Sequence, residues 1–118
     1  MIVYKKFHIE SARSLPNLPS EHPCSQVHGH SFEIILKVSG ELNEKTGFII
    51  DFQEIEDSFD PIRKLLHHSF LNNIKGLENP TSENMCKYIW EKVKPEILGL
   101  VEIEIKETHS TGCIYKGD

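Results

Sequence analysis

The stretch His22–Leu36, HPCSQVHGHSFEIIL, carries the pattern of a strand and a cluster of reactive side chains at its start. From His28 to Gly40 the even positions are His28, His30, Phe32, Ile34, Leu36 and Val38. The odd positions carry Glu33, Lys37 and Ser39, with Ile35 the exception. A period of two predicts a half-buried strand with one apolar face, and both histidines open that face. Two imidazoles so placed lie roughly 7 Å apart along the strand and can converge on one metal ion. Zinc takes imidazole nitrogen and thiolate, usually as four ligands, with one place left open in catalytic sites. The intervening Gly29 allows close approach from the opposite face. The plainer reading is two polar side chains bonded to loop carbonyls at a strand entrance. Cys24 extends the set to Cys-x3-His-x-His, three potential ligands in seven residues. Cys24 is equally open to a role as acid/base or nucleophile, its thiol activated by zinc or a neighbouring imidazolium. It can also be a small buried hydrophobe, although a proline-bounded loop counts against burial.

The flanking segments extend the pattern. VYKKFHIESAR alternates, with Val3, Phe7, Ile9 and Ser11 on one side and Tyr4, Lys6, His8 and Glu10 on the other. Arg13 falls on the side of Phe7 and Ile9 if the strand runs that far. LPNLPSEHPCSQ, with three prolines, reads as a loop. ELNEKTG reads as a turn, and FIID as a short strand pairing back. Asp51 is a helix N-cap, with Glu54 placed to complete a capping box. Phe52, Ile55, Phe59, Ile62 and Leu66 follow at helical spacing, with Pro61 a kink or break. A second helix starts at Thr81 or Ser82, buries Met85, Ile89 and Val93, and ends at Pro95. LVEIEIKET alternates again, placing Val101, Ile103, Ile105 and Glu107 on one face, and CIY closes the chain as a short strand. The order is ββααββ, an α+β layout of an antiparallel sheet covered by two helices. So small a sheet leaves open edges, and association through them predicts an oligomer.

Several polar residues stand out against this frame. Glu107 lies on an otherwise apolar strand face, where a carboxylate needs a partner. That partner is either an internal Arg or Lys, or a ligand offering a fork of N–H donors, such as the amidine-like edge of a pterin or guanine. His67 and His68 follow the first helix; adjacent side chains are expected to face different ways, one a proton shuttle and the other solvated. Trp90, Phe52 and Phe59 read as core. His8 reads as exposed or at an interface, and His22 and His109 as unassigned donors.

The chain has 118 residues, the size of one domain spanning 1–118, with no repeat or linker. A formal net charge of −5 argues against a large nucleic-acid footprint. No apolar run is long enough to span a bilayer, and MIVYKKFHIESAR does not read as a signal peptide. Three widely spaced cysteines argue against a disulfide framework, so a cytoplasmic location is expected.

Taken together, FHIESARSLP, HPC, HGHSF, TGFIIDF, LENPTSE, IW, VKP and KETHSTGCIY resemble the 6-pyruvoyltetrahydropterin synthase family, in particular its bacterial 6-carboxytetrahydropterin synthases of 7-deazapurine (queuosine) biosynthesis. The similarity runs nearly end to end. It implies the tunnelling fold, a four-stranded antiparallel sheet with two helices on one face. It also implies trimers that close a barrel, two of them stacked into a homohexamer, and a site near a subunit interface. The implied reaction turns 7,8-dihydroneopterin triphosphate into 6-carboxy-5,6,7,8-tetrahydropterin, acetaldehyde and triphosphate. Carried over by motif, His28 and His30 would bind Zn2+. Cys24 would move protons, and His68 would be the second acid/base. Glu107 would anchor the pterin edge, helped near Thr81 and Ser82.

Two positions depart from the family pattern. The third zinc ligand is a histidine in a small-small-His-x-Leu motif, which here reads SARSL, so Arg13 holds the ligand position. Arginine stays protonated and is no ordinary ligand. The acid/base histidine usually follows an aspartate, where this chain has His67. Three outcomes are open. The Cys24 thiolate completes the site; His67, His22 or His109 replaces the missing histidine; or zinc is lost and Arg13 binds an anionic group of the substrate.

Overall fold

The computed structural model describes all 118 residues. Four strands form one antiparallel sheet in the order β1 (Ile2–Arg13), β2 (His28–Ser39), β3 (Leu100–Lys106), β4 (Gly112–Tyr115). Two helices, α1 (Phe52–Leu66) and α2 (Ser82–Val93), connect β2 to β3 and pack on one face. The predicted element order is the observed one.

The alternation in β1 and β2 does what its period requires. Phe7, Ile9, Ser11 and Arg13 are buried on β1, on the same face of the sheet as the buried Phe32, Ile34, Leu36 and Val38 of β2. Ile55, Phe59 and Leu66 of α1 and Met85, Ile89 and Val93 of α2 close over them, each fully buried. Phe59 stacks on Phe7 with ring centroids 4.5 Å apart. On the outer face charges alternate in sign across strands. Lys37 pairs with Glu102 and Glu104, and Glu33 with Lys6 and Lys106.

Four local expectations are corrected. FIID forms no strand; Phe48 and Ile49 lie in an irregular segment held by the Asn43 N–H to Phe48 carbonyl bond of 2.8 Å. Phe52 is exposed; it is the first residue of α1, and the buried stripe of the helix begins only at Ile55. Asp51 does cap α1, but its carboxylate accepts from Gln53 N–H and no capping box forms with Glu54. In β3 the register shifts between Lys37 and Val38 of its partner, so Leu100 rather than Val101 takes the core position. The helix runs through Pro61, which sits on its exposed side where water can reach the freed carbonyl.

One edge of the sheet is partly covered. His67–Phe70, leaving α1, runs beside the end of β1. Ala12 N–H donates to Ser69, and His68 N–H donates to Glu10, at 2.9 and 2.7 Å. The rest of β1 and all of β4 keep an unpaired edge. At the β3–β4 turn a Cβ on Gly112 would overlap the Ile105 carbonyl, so only glycine fits. No helix is long and apolar enough to cross a membrane.

Truncating Phe59 to Ala removes a ring from the meeting point of α1 and β1. It is expected to lower unfolding free energy by about 3–5 kcal/mol, read as a lower urea midpoint at unchanged slope.

Candidate functional site

The polar residues singled out in the sequence gather at one end of the sheet, where β1 ends, β2 begins and β3 turns into β4. Antiparallel register puts Arg13 opposite His28 and Ser11 opposite His30. All four point to the core side, but beyond the last apolar layer at Ile9 and Phe32.

Arg13 is the anchor of this end. Only 2% of its side chain is exposed. Its Nη1 donates to the Pro80 carbonyl at 3.0 Å and its Nη2 to Glu107 Oε2 at 3.1 Å. The guanidinium also lies over the Phe32 ring, 5.1 Å from its centroid. Glu107 sits just past β3, held by its own N–H to the Thr111 carbonyl. Its second oxygen accepts from Ser82 Oγ at 2.6 Å. The internal arginine is thus the partner that Glu107 has. Burial pushes the Glu107 carboxyl up, but the Ser82 hydroxyl and the Arg13 charge outweigh it and hold the pKa below the ordinary range. Ser82 and Thr81 divide their work. Thr81 is the N-cap of α2, its hydroxyl accepting from Asn84 N–H, which leaves the Ser82 hydroxyl free for Glu107.

His28 and His30 lean together, ring centroids 5.0 Å apart and nearly perpendicular. His28 Nδ1 lies 2.8 Å from the Gln26 carbonyl, which can only accept, so Nδ1 carries the proton. Its Nε2 is then a lone pair, buried and without a partner. Burial and the Arg13 charge push the His30 pKa down, against the pull of Glu107. A neutral His30 whose Nε2 lies 3.9 Å from Glu107 is close to the carboxylate without forming an ion pair with it.

No three His, Cys, Asp or Glu side chains converge into a metal-binding group. Cys24 lies half-buried in a short 3-10 turn, Pro23–Ser25, its N–H donating to His22 Nδ1 and its carbonyl accepting from Leu15. It does not complete a cluster with His28 and His30, and neither do His22, His67 or His109. Cys86 and Cys113, distant in sequence, bring their sulfurs to 3.2 Å as free thiols.

The two adjacent histidines do not diverge as expected. Their rings stack, centroids 3.9 Å apart and planes 23° apart. The reason is the backbone of His68, whose φ of 55° swings its side chain back over its neighbour. His67 Nδ1 accepts from Glu10 N–H at 3.0 Å, so its ring is tied to the edge of β1.

Two open depressions flank this end. One, about 540 Å³, is lined by His30, His68, Glu10 and Ser31, with Ala12 and Gly29 at its floor. The other, about 480 Å³, holds Glu107, His8, Lys106 and His109 and shares Ser31 with the first. Glu10 and Ser31, joined by a 2.6 Å hydrogen bond, were not singled out from the sequence because both sit on the outer, polar face. Asn72 was missed too; its amide clamps Ser14 from both sides and positions the loop before Cys24. Neither pattern nor motif marks it.

The 6-pyruvoyl tetrahydropterin synthase family model matches residues 2–118. The 6-carboxy-5,6,7,8-tetrahydropterin synthase of Synechocystis sp. is 34% identical over 120 residues, covering 97% of this chain and 92% of that protein. The enzyme of the same name from Bacillus subtilis is 27% identical, covering 95% and 82%. The solved 6-pyruvoyl tetrahydropterin synthase of Caenorhabditis elegans superposes with a TM-score of 0.92 at 22% identity, over 100% of this chain and 96% of that one. With the family model spanning residues 2–118 and the fold in agreement, this chain belongs to the 6-pyruvoyl tetrahydropterin synthase family.

Proposed function

We propose that this chain is a 6-carboxy-5,6,7,8-tetrahydropterin synthase, a lyase acting on 7,8-dihydroneopterin triphosphate. The observation that carries the reading is Glu107. It is ionised, part-exposed and held from behind by Arg13 and Ser82. Each of its oxygens spends one lone pair inward and keeps another for a ligand. Two such oxygens suit the paired N–H donors of a pterin ring. The likeness to the Synechocystis and Bacillus enzymes supports the same substrate.

Cys24 and His68 take the proton-transfer roles. Cys24 is presented on a rigid, proline-led turn. His68 is exposed at the mouth of the larger depression, its ring plane set by stacking on His67. His67 does not stand in for an aspartate by hydrogen bonding to His68. It is kept neutral instead, since protonating Nδ1 would break its bond from Glu10 N–H. Cys24 lines neither depression, and two sheet edges stay unpaired, so the complete site is read as forming between protomers in a homohexamer, a dimer of trimers.

The family implies Zn2+ on His28 and His30. The orphaned lone pair of His28 Nε2 suits such an ion, but the rest of the donor set does not. The third position is a guanidinium, and no thiolate, carboxylate or imidazole replaces it. No step is therefore assigned to a metal. The same substitution favours a second reading, a pterin-binding relative without turnover. Formation of 6-pyruvoyltetrahydropterin is separated from both by its product.

Incubation with 7,8-dihydroneopterin triphosphate should yield 6-carboxytetrahydropterin and acetaldehyde by mass spectrometry. Cys24→Ala should lose about 10²-fold or more in kcat. Wild type that binds substrate and yields no product would overturn the lyase reading. Glu107→Ala should weaken pterin binding, and unchanged affinity would remove both pterin readings.

Acid should charge the His67 ring only below its ordinary value of 6.5, because desolvation, His68 and Arg63 all lower its pKa. The stability that a depressed base contributes is full above the unfolded pKa and is lost as pH falls through the folded one. An NMR titration of the His67 ring should show a midpoint under 6.5, rising in His68→Ala where a like charge is removed.

A further inference from the structure

Arg13 and His28 are directly opposed across β1 and β2, on the same face, with His30 two residues along. Opposed side chains have Cβ atoms about 4.5–5.5 Å apart. Position 13 therefore presents its side chain to the patch that holds the two imidazoles. A histidine there would bring three ring nitrogens to one point and leave a fourth place open, the donor set of a catalytic zinc ion. This chain has a group that is always charged and has no lone pair to give.

The guanidinium is also committed. Two of its nitrogens are spent on the Pro80 carbonyl and on Glu107, and it cannot swing out, since it is covered by protein on all sides. Its Nε–H is a buried donor with no acceptor, while His28 Nε2 is a buried acceptor with no donor. The two orphans belong to facing residues. Where a metal would take up the lone pair, the facing residue is a fixed cation with no lone pair of its own to give. A dication at the same spot would be repelled by that cation in a poorly solvated setting. Glu107, the only carboxylate within reach of His30, is already neutralised by it.

We propose that Arg13 is a built-in cation in place of the metal: it positions Glu107, keeps zinc off the His28–His30 pair, and makes the resting protein metal-free. One residue decides the matter, so Arg13→His converts the patch into a zinc site. The proposal rests on the pterin-site reading only for the role of Glu107. Metal content is read without substrate and without turnover.

The test uses untagged full-length protein, equilibrated with excess zinc chloride, desalted and assayed by elemental mass spectrometry. Wild type should retain only trace zinc. Arg13→His should retain about one zinc per chain, and its cobalt(II) form should show the visible absorption of a tetrahedral site, which wild type lacks. Adding His30→Ala to Arg13→His should remove the metal again. Stoichiometric zinc in the wild type would overturn the proposal, and so would a folded Arg13→His that takes up none. Replacing Arg13 strands the Glu107 charge, so if that variant does not fold, Arg13→His with Glu107→Gln replaces it in the same assay. Zinc-free wild type that turns substrate over, and zinc-free wild type that only binds it, both support the metal-free site; they differ on the lyase reading alone.

Discussion

A single ion pair, from the enclosed guanidinium of Arg13 to the part-exposed carboxylate of Glu107, ties the working end of this molecule together. Arg13 is the last residue of β1, Glu107 the first after β3, and Ser82 and Pro80 flank the start of α2. Three elements far apart in sequence thus meet on one guanidinium and one carboxylate. A buried pair is weak evidence of net stability, because desolvating two charges offsets much of their attraction. Removing Glu107 is another matter, since the Arg13 charge is then left inside with only the Pro80 carbonyl. The pair therefore fixes geometry more than it adds stability, and what it fixes is the direction of the Glu107 carboxylate.

The opposite flank of the site is set by backbone bonds. The segment leaving α1 lies along the end of β1 and covers its edge, so that His68 is delivered to the depression holding His30, with His67 tied to the strand edge behind it. Covering that edge needs a sharp change of direction after α1, and the left-handed backbone of His68 supplies it. A non-glycine residue in this region is uncommon and costs strain, which the bonds to Glu10 and Ala12 offset. The same strain stacks the two rings. Edge protection and the placing of the His68 ring are one structural device here.

Much of this was legible in the sequence because it depends on period and spacing. Alternation placed Arg13, His28 and His30 on one face of two strands, and helical spacing found the stripes of α1 and α2. Glu107 betrayed itself as a charge among Val101, Ile103 and Ile105, though its partner stayed open between protein and ligand. What could not be read depended on tertiary detail. FIID has strand composition but no neighbour to pair with. Phe52 fits the helical stripe but stands at the first position of α1, ahead of the part that packs. The bulge that moves Leu100 into the core leaves no mark in an alternating run. Nothing local foretells that the Pro80 carbonyl completes the Arg13 cradle or that Cys86 meets Cys113. The stacked histidines were misjudged because the expectation assumed ordinary backbone at His68.

A guanidinium and a metal ion are different solutions to one electrostatic need. A bound dication supplies charge without fixed direction, exchanges with its surroundings, and polarises oxygen directly. A buried arginine has its charge fixed in sequence and directed along particular N–H bonds. Here those bonds run to Glu107 and Pro80, so the charge acts on the carboxylate that faces the ligand. Burial and the same guanidinium lower the pKa of the His30 imidazole. Under the proposed metal-free reading, catalysis would come from orienting the pterin and moving its protons, the roles proposed for Glu107, Cys24 and His68. Activation of the substrate's side-chain oxygens would then fall to hydrogen-bond donors, and the donors at this end of the sheet become the determinants of which pterin side chain is processed.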